Sequence, residues 1–346
     1  MTSDQASRVR FLAEWERQDA VLIAWPHAAT DWNDTLDSVV TCYAAIARAI
    51  VADEHLIIVT PVADDACRQL THEFPDRITL VNASTNDTWA RDFGPLTVLC
   101  GDTLHALDFT FNAWGMKFAA NYDNLVTEQL ASQGILACPV DCHRDMVLEG
   151  GSVESDGRGT LLTTTRCLLE RNRNPQWSKD EIERQLMARL GARKVLWLDH
   201  GDIPGDDTDG HIDTLARLAP GNTIIHVTAR EGDAEYDECQ RMVEQLRTMT
   251  DADGQPFRLV ALPAPTPVVD ADGNRLPATY ANYLVTNHQV LVPTYGQPDN
   301  DRRAIDTIAS VFTDRHVRGI DCRPLIEQHG SLHCVTMQLP HGTLNH

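Results

Sequence analysis

The chain has 346 residues, 42% hydrophobic and 23% charged, the balance of a soluble globular protein long enough to bury a full core. Its 29 basic against 50 acidic residues leave a net charge of −21, which argues against a nucleic-acid phosphate partner and suits a small cationic ligand. Nine cysteines without a CxxC pair do not read as a disulfide framework. The first residues, Met1 to Arg8, lack the apolar core of a secretory signal, and the most apolar helical stretch, 39–52, is too short to span a bilayer and carries Arg48. These features predict a cytoplasmic protein with reduced thiols, bound to neither membrane nor nucleic acid.

In chain order, residues 20–26 form an apolar run ending at Pro26, which predicts a buried strand. Residues 34–52 predict a helix from apolar positions at Leu36, Val39, Val40, Tyr43, Ala44 and Ile46. A strand over 55–61, a short helix over 64–74 and a strand over 78–83 lead toward Trp89. Apolar runs recur at 104–111, 146–149, 160–164, 195–198, 223–228, 258–262, 283–285, 289–294 and 334–339. Helices are predicted near 122–134, 178–190, 234–250 and 300–312, and Ser178 with Glu181 spells a capping box. Alternating strands and helices predict an α/β architecture. No stretch has the composition of an interdomain linker, and the Pro- and Asp-rich segment 263–277 reads as a floppy insertion over one face.

A cysteine is most often a buried, inert thiol. Cys334, however, follows a Gly330-Ser331 turn, has a histidine beside it and opens the run 334–339 as a strand. Three other stretches, 87–95, 148–152 and 207–213, set acids or a histidine among glycines, where chains turn and expose function. Together they offer Cys334 as a nucleophile, His211 as a proton carrier, and Asp92 and Asp213 as anionic seats for a cation. Trp89 can present an indole face to a planar cation; alternatively Asp92 pairs with Arg91 or caps backbone amides. Glu149-Gly150-Gly151 is a turn, or a place where a substrate approaches the backbone. His211 and Asp213 face the same way if their segment is extended.

Common signatures fail. Gly157-Arg158-Gly159 lacks the third glycine of a dinucleotide loop, no Walker lysine motif occurs, and the run at Asp207 has Gly205 and Ala216 where a calcium loop needs ligands. A zinc site from His211, Asp213 and Cys334 is chemically feasible but has no compact ligand pair behind it. The candidates recur every fifty to seventy residues or so, from Trp25 through Asp92, Glu149, His211 and Asn282 to Cys334. A loose period of that size suggests modules that each donate a residue to a shared centre.

The segments WARDFGP (89–95), FNAWGMKF (111–118), LEGGSVESDGRGTLLTTTRCLLERNRNP (148–175), DTDGHIDTLARL (207–218), YANYLVTNHQVLVP (280–293) and GSLHCVTMQLP (330–340) together resemble the agmatine deiminase family and its relatives, the bacterial peptidyl-arginine deiminases. The likeness runs from Glu14 to Pro340. It implies one catalytic domain over 1–346 with the pentein fold, a five-bladed α/β propeller of pseudo-fivefold symmetry around a central active site. It implies Cys334 as nucleophile, His211 as acid and base, and Asp92 and Asp213 as guanidinium ligands. Trp89 would line the pocket, Asn282 would belong to the site, and Glu149 would support its charges. Neither metal nor organic cofactor is implied. Two departures bear on the pocket rim: QHGSLHC (328–334) stands where GGGNIHC is usual, and the segment between Leu262 and Ala278 is short. The substrate expected is agmatine. Free or peptidyl arginine is the alternative; an amidinotransferase or a non-catalytic cation-binding pentein lies further off, and a homodimer is compatible with all of these.

Overall fold

A computed structural model describes residues 9–345 of the chain. Its strands form five sheets of three or four strands and one small hairpin. Each of the five sheets repeats a single pairing rule: a central strand lies antiparallel to one neighbour and parallel to the other. The central strands are Gln18–Ala24, Thr103–Thr110, Thr160–Thr164, Thr223–His226 and Gln289–Thr294. A helix fills every parallel crossover: Leu36–Val51, Val126–Ser132, Lys179–Leu190, Tyr236–Thr248 and Pro298–Ala309. Parallel neighbours need such a crossover, because a tight turn can only join antiparallel strands. The result is the pseudo-fivefold α/β plan that the family resemblance implies.

The ring closes on itself. The last strand, Met337–Pro340, pairs antiparallel with Gln18–Ala24 near the start of the chain. Residues of Gln18–Ala24 are buried on both faces, as the near-continuous apolar run required. The helix Leu36–Val51 buries Val39, Tyr43, Ile46 and Ile50, a three-and-four spacing that keeps one stripe on the core. The helix Lys179–Leu190 begins in the expected capping box of Ser178 and Glu181 and ends at Gly191, whose φ of 70° suits glycine.

Two expectations are corrected. Segment 263–277 is not a floppy insertion: Val268–Val269 and Arg275–Leu276 pair as a hairpin, and Asp270 accepts backbone hydrogen bonds from Asp272 and Asn274 to close its turn. The run 334–339 is a strand only from Met337; Cys334 lies in the turn before it. Among the described residues no helix is long and apolar enough to cross a membrane.

Candidate active site

Each junction between modules delivers candidates to one place. Trp89 and Asp92 follow the strand Ile78–Asn82, Glu149 follows Val140–Val147, and His211 and Asp213 follow Lys194–Leu198. Asn282 precedes Leu284–Val285, and Cys334 precedes Met337–Pro340. The loose sequence interval is therefore the length of one module. All seven predicted side chains are buried, from 0% exposed at Glu149, Asp213 and Asn282 to 5% at Trp89, Asp92 and Cys334.

Asp92 sits on the short helix Ala90–Phe93. Its Oδ2 accepts a hydrogen bond from Trp114 Nε1 at 2.9 Å, and its Oδ1 accepts one from the Gly151 amide at 2.9 Å. Arg91 turns away, donating to the His333 carbonyl and to Gln338, so the Arg91–Asp92 pairing does not form. The two glycines after Glu149 serve this packing rather than a substrate's approach. A Cβ at Gly150 would stand 2.1 Å from the Arg91 carbonyl oxygen, and one at Gly151 only 2.6 Å from His211 Nδ1.

His211 is not on an extended segment. It caps the short helix Ile212–Leu215 at its N-terminus, which sends His211 and Asp213 to different partners. His211 Nδ1 lies 3.6 Å from Asp92 Oδ1 and Nε2 lies 3.8 Å from Glu149 Oε2. Among the described residues neither ring nitrogen has a hydrogen-bond partner. Burial favours the neutral ring, but Asp92, Cys167 and Glu149 around it prevail and raise its pKa well above that of an ordinary histidine. Glu149 is desolvated too, yet Arg173, 2.9 Å away, and His211 hold its pKa down at about 2. Arg173 also grips Asp209 Oδ2 at 2.7 Å, so Glu149 is one end of a buried charge chain.

Asn282 organises the nucleophile. Its Oδ1 accepts from the amides of His333 at 2.8 Å and Cys334 at 3.2 Å, and from Cys334 Sγ at 3.3 Å. Its Nδ2 donates to Asp213 Oδ2 at 3.3 Å. Asp213 Oδ2 is also bonded by His333 Nδ1 at 2.7 Å, while Oδ1 is buried without a partner among the described residues. Burial raises the Asp213 pKa, and the His333 bond more than reverses it, so the carboxylate stays charged. Burial pushes the Cys334 thiol well above the ordinary cysteine value, and the charges of Asp213 and Asp92 push it further. Both effects hold Cys334 toward the neutral thiol. Iodoacetamide should alkylate it more slowly at pH 7 than an ordinary exposed thiol such as Cys142, with a rate still climbing above pH 9; peptide mapping that finds Cys334 the faster of the two at pH 7 contradicts this.

A cavity of about 240 Å³ opens onto this cluster. Trp89, Asp92 and Cys334 line its wall, whereas His211, Asp213, Glu149 and Asn282, expected to act on substrate, do not. Gly330 lies flat on Trp89, since a Cβ there would come within 2.0 Å of the indole. Asp31, Asp87, Asp207 and Glu327 surround the outer part, and among the described residues no lysine or arginine lines it. Burial, with Asp31 nearby, pushes the Asp87 pKa up to about 7.

Sequence reasoning missed Trp114, His333, Glu14 and Arg173 as parts of this centre. Trp114 and Arg173 lie inside segments that carry the family likeness, His333 is beside Cys334 and Glu14 begins the likeness, so position was a signal for all four.

Residues 10–340 match the model of the Porphyromonas-type peptidyl-arginine deiminase family. A provisionally named arginine deiminase from Porphyromonas gingivalis is 46% identical and superposes with a TM-score of 0.91, covering 97% of this chain and 100% of that one. The agmatine deiminase of Medicago truncatula is 32% identical over 95% of both chains. A C. jejuni agmatine deiminase, solved with substrate on a cysteine-to-serine variant, is 34% identical with a TM-score of 0.89 over 97% of both chains. An amidinotransferase from Microseira wollei, at 11% identity and a TM-score of 0.52, shares the fold alone. The chain has the pentein fold and belongs to the Porphyromonas-type peptidyl-arginine deiminase family, in which it is aligned almost end to end with the agmatine deiminases.

Proposed function

We propose that this protein hydrolyses agmatine to N-carbamoylputrescine and ammonia through a covalent adduct on Cys334. The observation that carries the reading is the thiol of Cys334, within the field of Asp92 and Asp213 and on the wall of a cavity ringed by acids. A guanidinium is planar and hard to attack while its charge is delocalised. Two carboxylates fix its N–H groups and hold the central carbon in place, each charge-assisted bond contributing roughly 1.5–3 kcal/mol. The bound cation also cancels the field that keeps Cys334 protonated, so substrate itself favours the thiolate.

Sγ then bonds to the guanidinium carbon. His211, protonated beside Asp92 and Glu149, gives its proton to the departing nitrogen, which leaves as ammonia. Neutral His211 next takes a proton from water as that water attacks the thiouronium carbon. The hydroxyl proton passes to sulfur as the carbon–sulfur bond breaks, a urea-type product leaves, and Cys334 returns as the thiol whose proton went to solvent when substrate bound. Trp89 and Trp114 wall the planar head group, and Trp114 holds Asp92 in line. Glu149 and Asn282 position His211 and Cys334. Free agmatine is a small metabolite, and nine unpaired cysteines suit a cytoplasmic setting.

Agmatine is preferred over arginine because of what surrounds the cavity. The basic residues that could have read an α-carboxylate are engaged elsewhere: Lys117 with Asp207 and Asp209, Arg144 with Asp108, and Arg158 with Asn222. Asp31, Asp87, Asp207 and Glu327 would meet a distal ammonium favourably and a carboxylate unfavourably. A product screen with agmatine, free arginine and a C-terminal arginyl peptide tests this. Agmatine should show a kcat/KM at least a hundredfold above arginine, shrinking as salt screens the rim. Efficient citrulline formation from the peptide with agmatine inert would overturn the substrate and leave the deiminase chemistry standing.

A further inference from the structure

We infer that His333 is a positioning residue, held by Glu14 and Arg217, which turns Asp213 so that one oxygen is kept free for the substrate. The inference rests on the reading of Asp213 as a guanidinium ligand and adds the device that aims it. His333 is 2% exposed and bridges two carboxylates: Nδ1 lies 2.7 Å from Asp213 Oδ2 and Nε2 lies 2.8 Å from Glu14 Oε2. Nδ1 faces a carboxylate, which only accepts, and Nε2 sits between Glu14 Oε2 and Arg217 Nη2, the latter 3.0 Å away. The imidazole is thereby fixed at both ends.

Glu14 is fixed in turn. Its Oε1 accepts from the Val285 amide at 2.7 Å, and its Oε2 accepts from Arg217 Nη2 at 2.6 Å. Burial acts against the Glu14 carboxylate, but His333 and Arg217 reverse this and keep it ionised. Arg217 is itself buried, bonded to Glu154 and to the carbonyls of Ala281 and Tyr283 on either side of Asn282. One rigid polar cluster therefore reaches both residues that touch Asp213 Oδ2, which are His333 and Asn282. With Oδ2 doubly occupied, Oδ1 is the buried oxygen left unpartnered among the described residues. A buried orphan of this kind is costly unless a ligand satisfies it.

The same assay separates this inference from the proposed activity. If wild-type protein hydrolyses no guanidino compound, the functional reading fails and the cause is visible in the control. If it does turn over agmatine, His333→Gln should raise KM roughly ten- to a hundredfold, the worth of a charge-assisted bond, while kcat falls far less. Glu14→Gln keeps shape, leaves His333 in place, and should move KM in the same direction; it carries the test should His333→Gln not fold. A residue that acts only through Asp213 has nothing left to lose once that carboxylate is gone. The double variant His333→Gln/Asp213→Asn should therefore bind agmatine no more weakly than Asp213→Asn alone. Unchanged KM in the single variants, or additive losses in the double variant, overturns the positioning role.

Discussion

Replacing Cys334 by serine is expected to lower agmatine turnover by about 10⁴-fold or more while leaving agmatine bound. Sulfur carries the chemistry because a thiolate forms at a pH where a serine hydroxyl stays intact, and because it is intrinsically the better nucleophile. The substitution leaves the binding apparatus in place: Asp92 keeps Trp114 and Gly151 as donors, and Asp213 keeps His333. Asn282 Oδ1 can accept from a serine hydroxyl as it does from Sγ. Calorimetry on the variant should accordingly show saturable agmatine binding with no ammonia released. Turnover near that of the wild type would remove covalent catalysis from the account.

The second large effect concerns the carboxylates, and the structure separates the two. Asp92→Asn and Asp213→Asn each remove one anion facing the guanidinium and should each cost roughly a hundredfold or more in kcat/KM. Their stabilities should differ. Both oxygens of Asp92 accept hydrogen bonds, from Trp114 and from Gly151, so an amide nitrogen must face one of those donors. Leaving such a buried donor unsatisfied costs about 1–3 kcal/mol. Asp213 has one free oxygen, so an asparagine can keep its own oxygen toward His333 and set its nitrogen where nothing bonds now. Asp92→Asn should thus lower both Tm and activity, and Asp213→Asn chiefly activity. Wild-type efficiency in both variants would make the carboxylates structural.

The modules were legible because their central strands are continuous apolar runs and their crossovers are long amphipathic helices. Two shorter strands were not: Leu96–Cys100 and Val153–Ser155 follow turns of the site, where apolar residues serve burial and periodicity is lost. Burial without a strand also explains Cys334. Residues 332–335 are buried in a turn whose amides are bound by the Asn282 side chain, a contact across fifty residues that no local pattern encodes. Trp114 was hidden for a different reason. Ala113, Trp114, Gly115 and Met116 all have φ between 52° and 86°, a run that L-residues adopt reluctantly and that no helix or strand pattern signals. The hairpin in 263–277, by contrast, was overlooked rather than hidden, since Asp272-Gly273-Asn274 is a turn signal between Val268–Val269 and Arg275–Leu276. The polar cluster of Glu14, Arg217 and His333 joins three distant parts of the chain, and only the closure of the ring brings them together.

The most direct measurement is intact-mass spectrometry of a His211→Asn variant incubated with agmatine. Without the histidine to activate water, hydrolysis of the intermediate should stall. The protein should gain the mass of agmatine less ammonia, on the peptide that carries Cys334, and the gain should vanish when Cys334→Ser is added. An adduct carried on another residue, or one that persists when Cys334→Ser is added, would contradict Cys334 as the nucleophile.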